Sequence, residues 1–182
     1  FKNEVKVATG NSATLADSHL ASIAFVNQGA EFVADVGMKA MTDAAKLGEV
    51  SAFAAMHGGS SRYDLSSTID VDGYSLVAGA GLKLNPNWLV GAFVEAGWGE
   101  SDSHVRQTKG ESDHDYYGVG LATRYQFASG LYVDGALRLG QSSTEFKGQF
   151  ATDYAKYDSD VFFSTAHLGA GYLFNLTDTV SM

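Results

Sequence analysis

The sequence predicts an all-β fold: an antiparallel transmembrane up-and-down β-barrel, present in part as six to seven strands and preceded by an α-helix. Three observations predict it. The hydrophobic period changes from about 3.6 residues to about 2 near Gly48. The apolar faces of the alternating segments carry aromatic residues at their ends. The opposite faces are rich in glycine with isolated charges, whereas a face in water would favour Lys, Glu and Thr.

The segment 14–47 predicts the helix. Its apolar residues recur at steps of three to four, and Thr14 with Asp17 can form a capping box at the start. Glycine inside a helix costs about 1 kcal/mol relative to alanine, so we expect a break near Gly29. Residues 1–13 are polar and predict a linker.

The clearest strand runs from Trp88 to Trp98. Its one face is wholly apolar, and its other face is small except for Leu89, Phe93 and Glu95. About ten residues tilted by roughly 45° cross a bilayer core, which places the two tryptophans at the two interfaces. This alternation therefore predicts lipid on one side of the strand and a polar lumen on the other.

Similar alternation predicts the remaining strands, with a hairpin asymmetry typical of outer-membrane barrels. The predicted strands are 50–62, 70–84, 88–104, 113–127, 131–146 and 157–174, with a seventh starting near 179. Tight turns are predicted at 85–87, 128–130 and 175–178, and longer polar connections at 60–69, 104–112 and 147–156.

Two sets of candidate residues follow from the alternation. The charged residues expected to face the lumen are Lys83, Glu95, Arg124, Asp134, Arg138 and His167. They can pair with one another or with helix charges at Asp17, Glu31, Asp35, Lys39 and Asp43, or they are solvated charges without a specific role. The aromatic residues expected at the membrane interfaces are Trp88, Trp98, Tyr117, Phe127, Tyr172 and Phe174.

Composition excludes several other functions. The formal net charge of -9 argues against binding to nucleic acid, which needs a basic face. The sequence has no cysteine, so it holds neither disulfides nor thiolate metal sites. Asp113, His114 and Asp115 predict a solvated loop end or, as the alternative, a weak cation site. We predict no cofactor, no metal centre and no Ser/His/Asp catalytic set.

Taken together, the segments resemble the C-terminal translocator domain of autotransporters, the type V secreted proteins of Gram-negative bacteria. The resemblance is carried by the order and spacing of LASIAFVNQGAEFVADVG (20–37), FAAMHGGSSRYD (53–64), IDVDGYSLVAGAGLKL (69–84), WLVGAFVEAGWG (88–99), DHDYYGVGLATRYQF (113–127), GLYVDGALRLG (130–140) and AHLGAGYLFNLTD (166–178).

The resemblance implies a barrel of about twelve strands in the outer membrane, with the helix threaded through its pore. It implies that the domain supports export of an N-terminal passenger and anchors it, with lipid and the barrel assembly machinery as further partners. On this interpretation 1–13 is the linker from the passenger, 14–47 the pore helix and 48–182 the first half of a truncated barrel. We expect such a fragment to pair its edges with another copy, or to remain a curved open sheet.

Some relatives cut themselves inside the pore, using an Asn of the helix activated by lumen carboxylates. Their Asn-Asn pair is absent, Asn27 is the only Asn well inside the predicted helix, and Glu95 is the nearest candidate acid. We therefore predict that the chain is not an enzyme. Two alternatives stay open: a passive porin or structural barrel, which would have no lumen helix, and a soluble β-domain binding an apolar ligand or partner, with its apolar faces turned inward.

Overall fold

The computed structural model describes residues 2–64, 68–105, 108–150, 153–173, 175–177 and 180–181 of the chain, and side chains within 16–63, 68–103, 110–148 and 156–173. The helical part consists of α1 (Lys2–Phe32), a π-helical turn (Val33–Gly37) and α2 (Met38–Ala44). The strands are β1 (Ser51–Asp64), β2 (Thr68–Asn85), β3 (Trp88–Val105), β4 (Thr108–Gln126), β5 (Leu131–Phe150), β6 (Asp153–Tyr172), β7 (Asn175–Thr177) and β8 (Val180–Ser181).

The first six strands form one antiparallel sheet in which each strand pairs with the next along the chain. The predicted fold class, an antiparallel barrel sheet behind an N-terminal helix, is thereby confirmed, and the described sheet is open, with β1 and β6 at its edges. The α1 helix contacts β2, β3, β4 and β5, while α2 contacts β1 and β2. We call the face against the helix the inner face and the opposite one the outer face.

The outer face is apolar and uncovered. Val94 at the middle of β3 is 58% exposed, and Leu168 on β6 is 87% exposed. The apolar faces therefore point away from the core, and the alternative of a soluble domain with inward apolar faces is wrong. Among the predicted interface aromatics, Phe174 lies outside the described residues, and the others are exposed: Trp88, Trp98, Tyr117, Phe127 and Tyr172.

The helix differs from the prediction at both ends and in its interior. It begins at Lys2, inside the segment predicted as a linker, and α2 ends at Ala44. The α1 helix continues through Gly29, and the irregular turn is Val33–Gly37 instead. Packing explains the difference, because the missing side chain of Gly29 leaves room for Tyr116 of β4, so that tertiary contact offsets the weak helix propensity.

The polar connections predicted as long loops are largely strand. The β1–β2 pairing continues to Asp64↔Thr68, β3–β4 to Val105↔Thr108 and β5–β6 to Phe150↔Asp153. Hydropathy alternation fades in these extensions, but the backbone N–H and C=O groups still find partners on the neighbouring strand. At the other end, β8 pairs only with β7 in a separate two-stranded sheet, so the predicted seventh strand does not extend the main sheet within the described residues.

The helix runs from the long hairpins to the short turns. In the middle of α1, Ser18 accepts a hydrogen bond from Ser112 of β4 at 2.8 Å, on the long-hairpin side of the sheet. After α2, Leu47 forms a bridge with Lys83 close to the turn between β2 and β3, and the chain then enters β1. None of the described helices is both long and apolar enough to cross a membrane.

Candidate functional site

A buried ion pair lies at the centre of the inner face. Arg138 of β5 donates to both carboxylate oxygens of Glu95 on β3, from Nε and from Nη2, each at 2.8 Å. The two side chains are 2% and 1% exposed. The Nη1 atom of Arg138 also donates to the backbone carbonyl of Val26 at 3.3 Å, so this pair joins two strands to the helix.

Tyr116 of β4 lies beside the pair. Its hydroxyl donates to Ser75 Oγ on β2 at 2.9 Å, and its ring meets Phe25 of the helix edge-on, with centroids 5.3 Å apart. A side chain at Gly29 would collide with the Tyr116 hydroxyl, so glycine allows the helix to approach the wall here. The arrangement fixes α1 against β2, β4 and β5 in one small region.

A second polar group lies nearer the short turns. Arg124 donates to Asp134 at 3.1 Å and, more weakly, to the hydroxyl of Thr42 on α2 at 3.4 Å. Its guanidinium lies 4.1 Å from the centroid of the Tyr132 ring. The other Asp134 oxygen is 3.5 Å from Nε2 of His167. This group gives α2 a polar contact with the wall.

The remaining predicted site residues occupy separate places. Lys83 is half-buried beside the end of the helix, where its backbone bonds to Lys46 and Gly48. Asn27, Glu31 and Asp35 line an open cleft of about 1090 Å³ between the helix and the β4–β6 part of the wall. Lys39 pairs within the helix with Asp43, and Asp17 is buried near the start of the described side chains.

A buried hydroxyl cluster lies towards the long hairpins. His114 of β4 shares a hydrogen bond with Ser101 Oγ at 2.7 Å and another with Thr144 Oγ1 at 3.1 Å. Thr144 in turn donates to Ser22 of the helix at 3.1 Å. Because strand residues alternate, Asp113 and Asp115 lie on the outer face while His114 is buried on the inner one. The predicted solvated loop end is therefore wrong, since the three residues are in a strand, and their side chains diverge, which also argues against the alternative of a weak cation site.

Charged residues link the strands where they extend past the outer aromatic residues. Lys147 of β5 bonds to Glu145 at 2.9 Å and to Asp113 at 3.1 Å, and Lys156 of β6 bonds to Glu145 at 2.9 Å. Hydrogen bonds from the two ammonium groups lower the pKa of Glu145 below its ordinary value. The same bonds raise the pKa of both lysines. These contacts are exposed, so each contributes little to stability.

An exposed apolar outer face, aromatic residues at its borders and a polar inner face define an outer-membrane β-barrel wall. Residues 52–182 match the family model described as "Autotransporter beta-domain", and the chain belongs to that family. The resemblance to autotransporters and the outer-membrane location of Gram-negative type predicted from the sequence are thereby confirmed.

The fold agrees with that of a solved structure. The translocator domain of autotransporter NalP from Neisseria meningitidis is similar over 72% of this chain and 50% of that one, with 16% identity and a TM-score of 0.62. The beta domain of the Bordetella autotransporter BrkA is similar over 71% and 51%, with 21% identity and a TM-score of 0.49. The chain thus spans about half the length of these structures. No curated protein sequence matches it.

Several residues that pack between the helix and the sheet were missing from the predicted site: Phe25 and Met41 of the helix, and Ser75 and Tyr116 of the inner face. Strand alternation could have placed Tyr116 and His114 inward, since they share the parity of Gly118. No comparable sequence signal identifies Phe25 and Met41, because their role depends on which strand residues lie opposite them.

Proposed function

We propose that the polypeptide upstream of the helix is a passenger that leaves the cell through this pore, and that the helix remains behind as the pore's occupant. The observation that carries the proposal is the direction of the helix. It passes along the inner face from the long hairpins to the short turns and then continues into β1. A segment preceding the helix would thus emerge on the side of the long hairpins, which in outer-membrane barrels is the extracellular side.

The packing of the helix against the wall favours a translocator over a passive porin. Its carbonyl at Val26 and its hydroxyl at Thr42 are bonded to the wall, and apolar residues fill the space between. In an open channel the polar inner face would line the water-filled pore and would not be covered by a helix. Anchoring of the passenger follows from this packing, and we assign no catalytic role to Asn27, which lines the open cleft, or to Glu95, whose two oxygens are bonded to Arg138.

The chain supplies six strands of wall, and we propose that its edges β1 and β6 are completed by further strands, from the same polypeptide or from another copy. Barrel assembly machinery would be the factor that inserts such a sheet. Completion of the edges is needed because an unpaired strand edge in lipid leaves backbone groups without partners.

The test uses the full-length natural protein in a Gram-negative host, with an epitope tag placed before residue 1. We expect external protease to remove the tag from whole cells while the barrel stays folded, as judged by its heat-dependent mobility on gels. A tag that is protected in whole cells but cleaved after cell lysis would contradict the proposal. Deletion of 2–44 should raise ion conductance in planar bilayers, and a variant with Leu20→Ala on the exposed side of the helix serves as the control.

A further inference from the structure

Two pairs of glycines on the inner face form notches that receive side chains of the helix. Gly73 and Gly99 face each other across β2 and β3, and so do Gly81 and Gly91. A Cβ added at Gly73 would lie 2.5 Å from Phe25, and one at Gly81 would lie 2.6 Å from Met41. A Cβ added at the partner glycines would also collide with these side chains, at Gly99 with Phe25 and at Gly91 with Met41.

Both inserted side chains are buried, each at 1% exposure. Phe25 belongs to the apolar cluster with Ile69 and Val71, and Met41 to the cluster with Phe53 and Val77. Any axial movement of the helix would withdraw both side chains from their notches and press them against strand residues that carry a Cβ.

The spacing of the notches matches that of the helix residues. About 16 residues of helix separate Phe25 from Met41, which at about 1.5 Å per residue is roughly 24 Å. About eight residues of β2 separate Gly73 from Gly81, which at about 3.3 Å per residue is roughly 26 Å. In the structure Phe25 and Met41 fill the two notches at once, so one axial position of the helix serves both.

We propose that Phe25 and Met41, held by these two glycine notches, are the positioning residues that stop the helix at one fixed register in the pore. The inference deepens the proposed function and rests on it: the notches define where the exported polypeptide comes to rest. The polar contacts at Val26 and Thr42 lie between or beside the two notches and are made in that register.

Disulfide crosslinking between introduced cysteine pairs measures the register of the helix directly, because the sequence contains no cysteine of its own. Ser22 and Ser142 have their Oγ atoms 3.3 Å apart, so Ser22→Cys with Ser142→Cys reports the native position. Ser18→Cys or Val26→Cys with Ser142→Cys reports a slide of one helical turn, about 6 Å, in either direction. All pairs are made in an otherwise cysteine-free full-length protein and oxidised in isolated outer membranes.

We expect the native pair to crosslink and the two shifted pairs to stay at background in the parent protein. With Phe25→Ala and Met41→Ala, the shifted crosslinks should rise about fivefold or more. The matched control is Leu20→Ala with Ile23→Ala, which removes apolar side chains from the exposed side of the same helix. Shifted crosslinks that stay at background in the first variant, or rise equally in the control, would overturn the proposal.

Should the double variant fail to fold, Gly81→Ala gives the same test. The three atoms nearest to its added Cβ belong to the side chains of Met41 and Leu89, so Met41 must leave the notch while the strand backbone is spared. Gly135→Ala is its control, since the nearest neighbours of Gly135 are on β6. Shifted crosslinks should again rise with Gly81→Ala only. Surface exposure of the passenger is scored separately, so a failure of export with a normal native crosslink would count against the proposed function and leave the register intact.

Discussion

Replacing Arg138 by methionine should destabilise the barrel strongly. Methionine keeps much of the side-chain length but leaves the buried Glu95 carboxylate without its bidentate partner. Breaking a buried pair by removing one member costs about 3–5 kcal/mol, because an uncompensated charge stays in a low-dielectric site. The carbonyl of Val26 loses a donor as well, a further cost of about 1 kcal/mol.

The double variant Arg138→Met with Glu95→Leu separates two explanations for such a loss. If the cost comes from the orphaned carboxylate, removing both charges should restore most of the stability, to within about 1 kcal/mol of the parent. If it comes from lost packing around the helix, the double variant should be at least as unstable as the single one.

Arg62→Met is the matched control on the projecting part of the sheet. Arg62 also bonds to a carboxylate through two nitrogens, at 2.6 and 3.2 Å from Asp70, but its side chain is 66% exposed. Exposed pairs are worth about 0–1 kcal/mol, so this variant should unfold close to the parent. The free energy of unfolding is measured by urea titration of the refolded full-length protein in lipid vesicles. A loss below about 1 kcal/mol for Arg138→Met would refute the reasoning.

Three further outcomes are expected. Trp88 and Trp98 fluorescence should be quenched more by lipids brominated near the headgroup than by lipids brominated near the bilayer centre, and equal quenching at both depths would contradict their interfacial placement. Val94→Arg should destabilise the barrel by about 2–4 kcal/mol in vesicle unfolding, since Val94 lies halfway between the two tryptophans on the outer face, whereas Val94→Leu should be nearly neutral. The pKa of Glu145 is lowered by its lysine partners, so the ion pairs stabilise the fold above the ordinary pKa of 4.5, and this stabilisation is lost as the pH falls through the lowered pKa. Amide hydrogen exchange in β5 and β6 near their connection should therefore speed up at acid pH relative to the Glu145→Gln variant. Identical pH profiles of the two proteins would exclude this effect.

The sequence was sufficient to predict which strand residues lie on the inner face and which on the outer face, because side chains alternate between the two faces of a strand. Glu95 and Val94 lie on opposite faces in the structure, as adjacent strand residues must, and the same holds for Arg138 and Leu137. The short turns at 86–87 and 128–130 were also predictable, since Pro, Asn and Gly mark them.

Strand ends and helix contacts could not be predicted in the same way. Segments such as 60–64 and 147–150 alternate poorly in hydropathy, and they are strands because their backbones pair with a neighbour that lies close in sequence. The contact between Gly29 and Tyr116 depends on how far the helix lies along the sheet. Neither the sequence pattern of the helix nor that of the strand contains this information. Gly29 consequently suggested a helix break, when its role is close packing.

The π-helical turn at Val33–Gly37 changes the direction in which side chains after it point, relative to those before it. In a regular α-helix each residue advances by about 100°, so Phe25 and Met41 would stand about 160° apart and face opposite sides. A π-turn is wider and advances less per residue, which removes part of this offset within a single turn. One inserted turn thus brings two distant halves of a helix closer to one angular sector, and both halves reach glycines of the same two strands, β2 and β3.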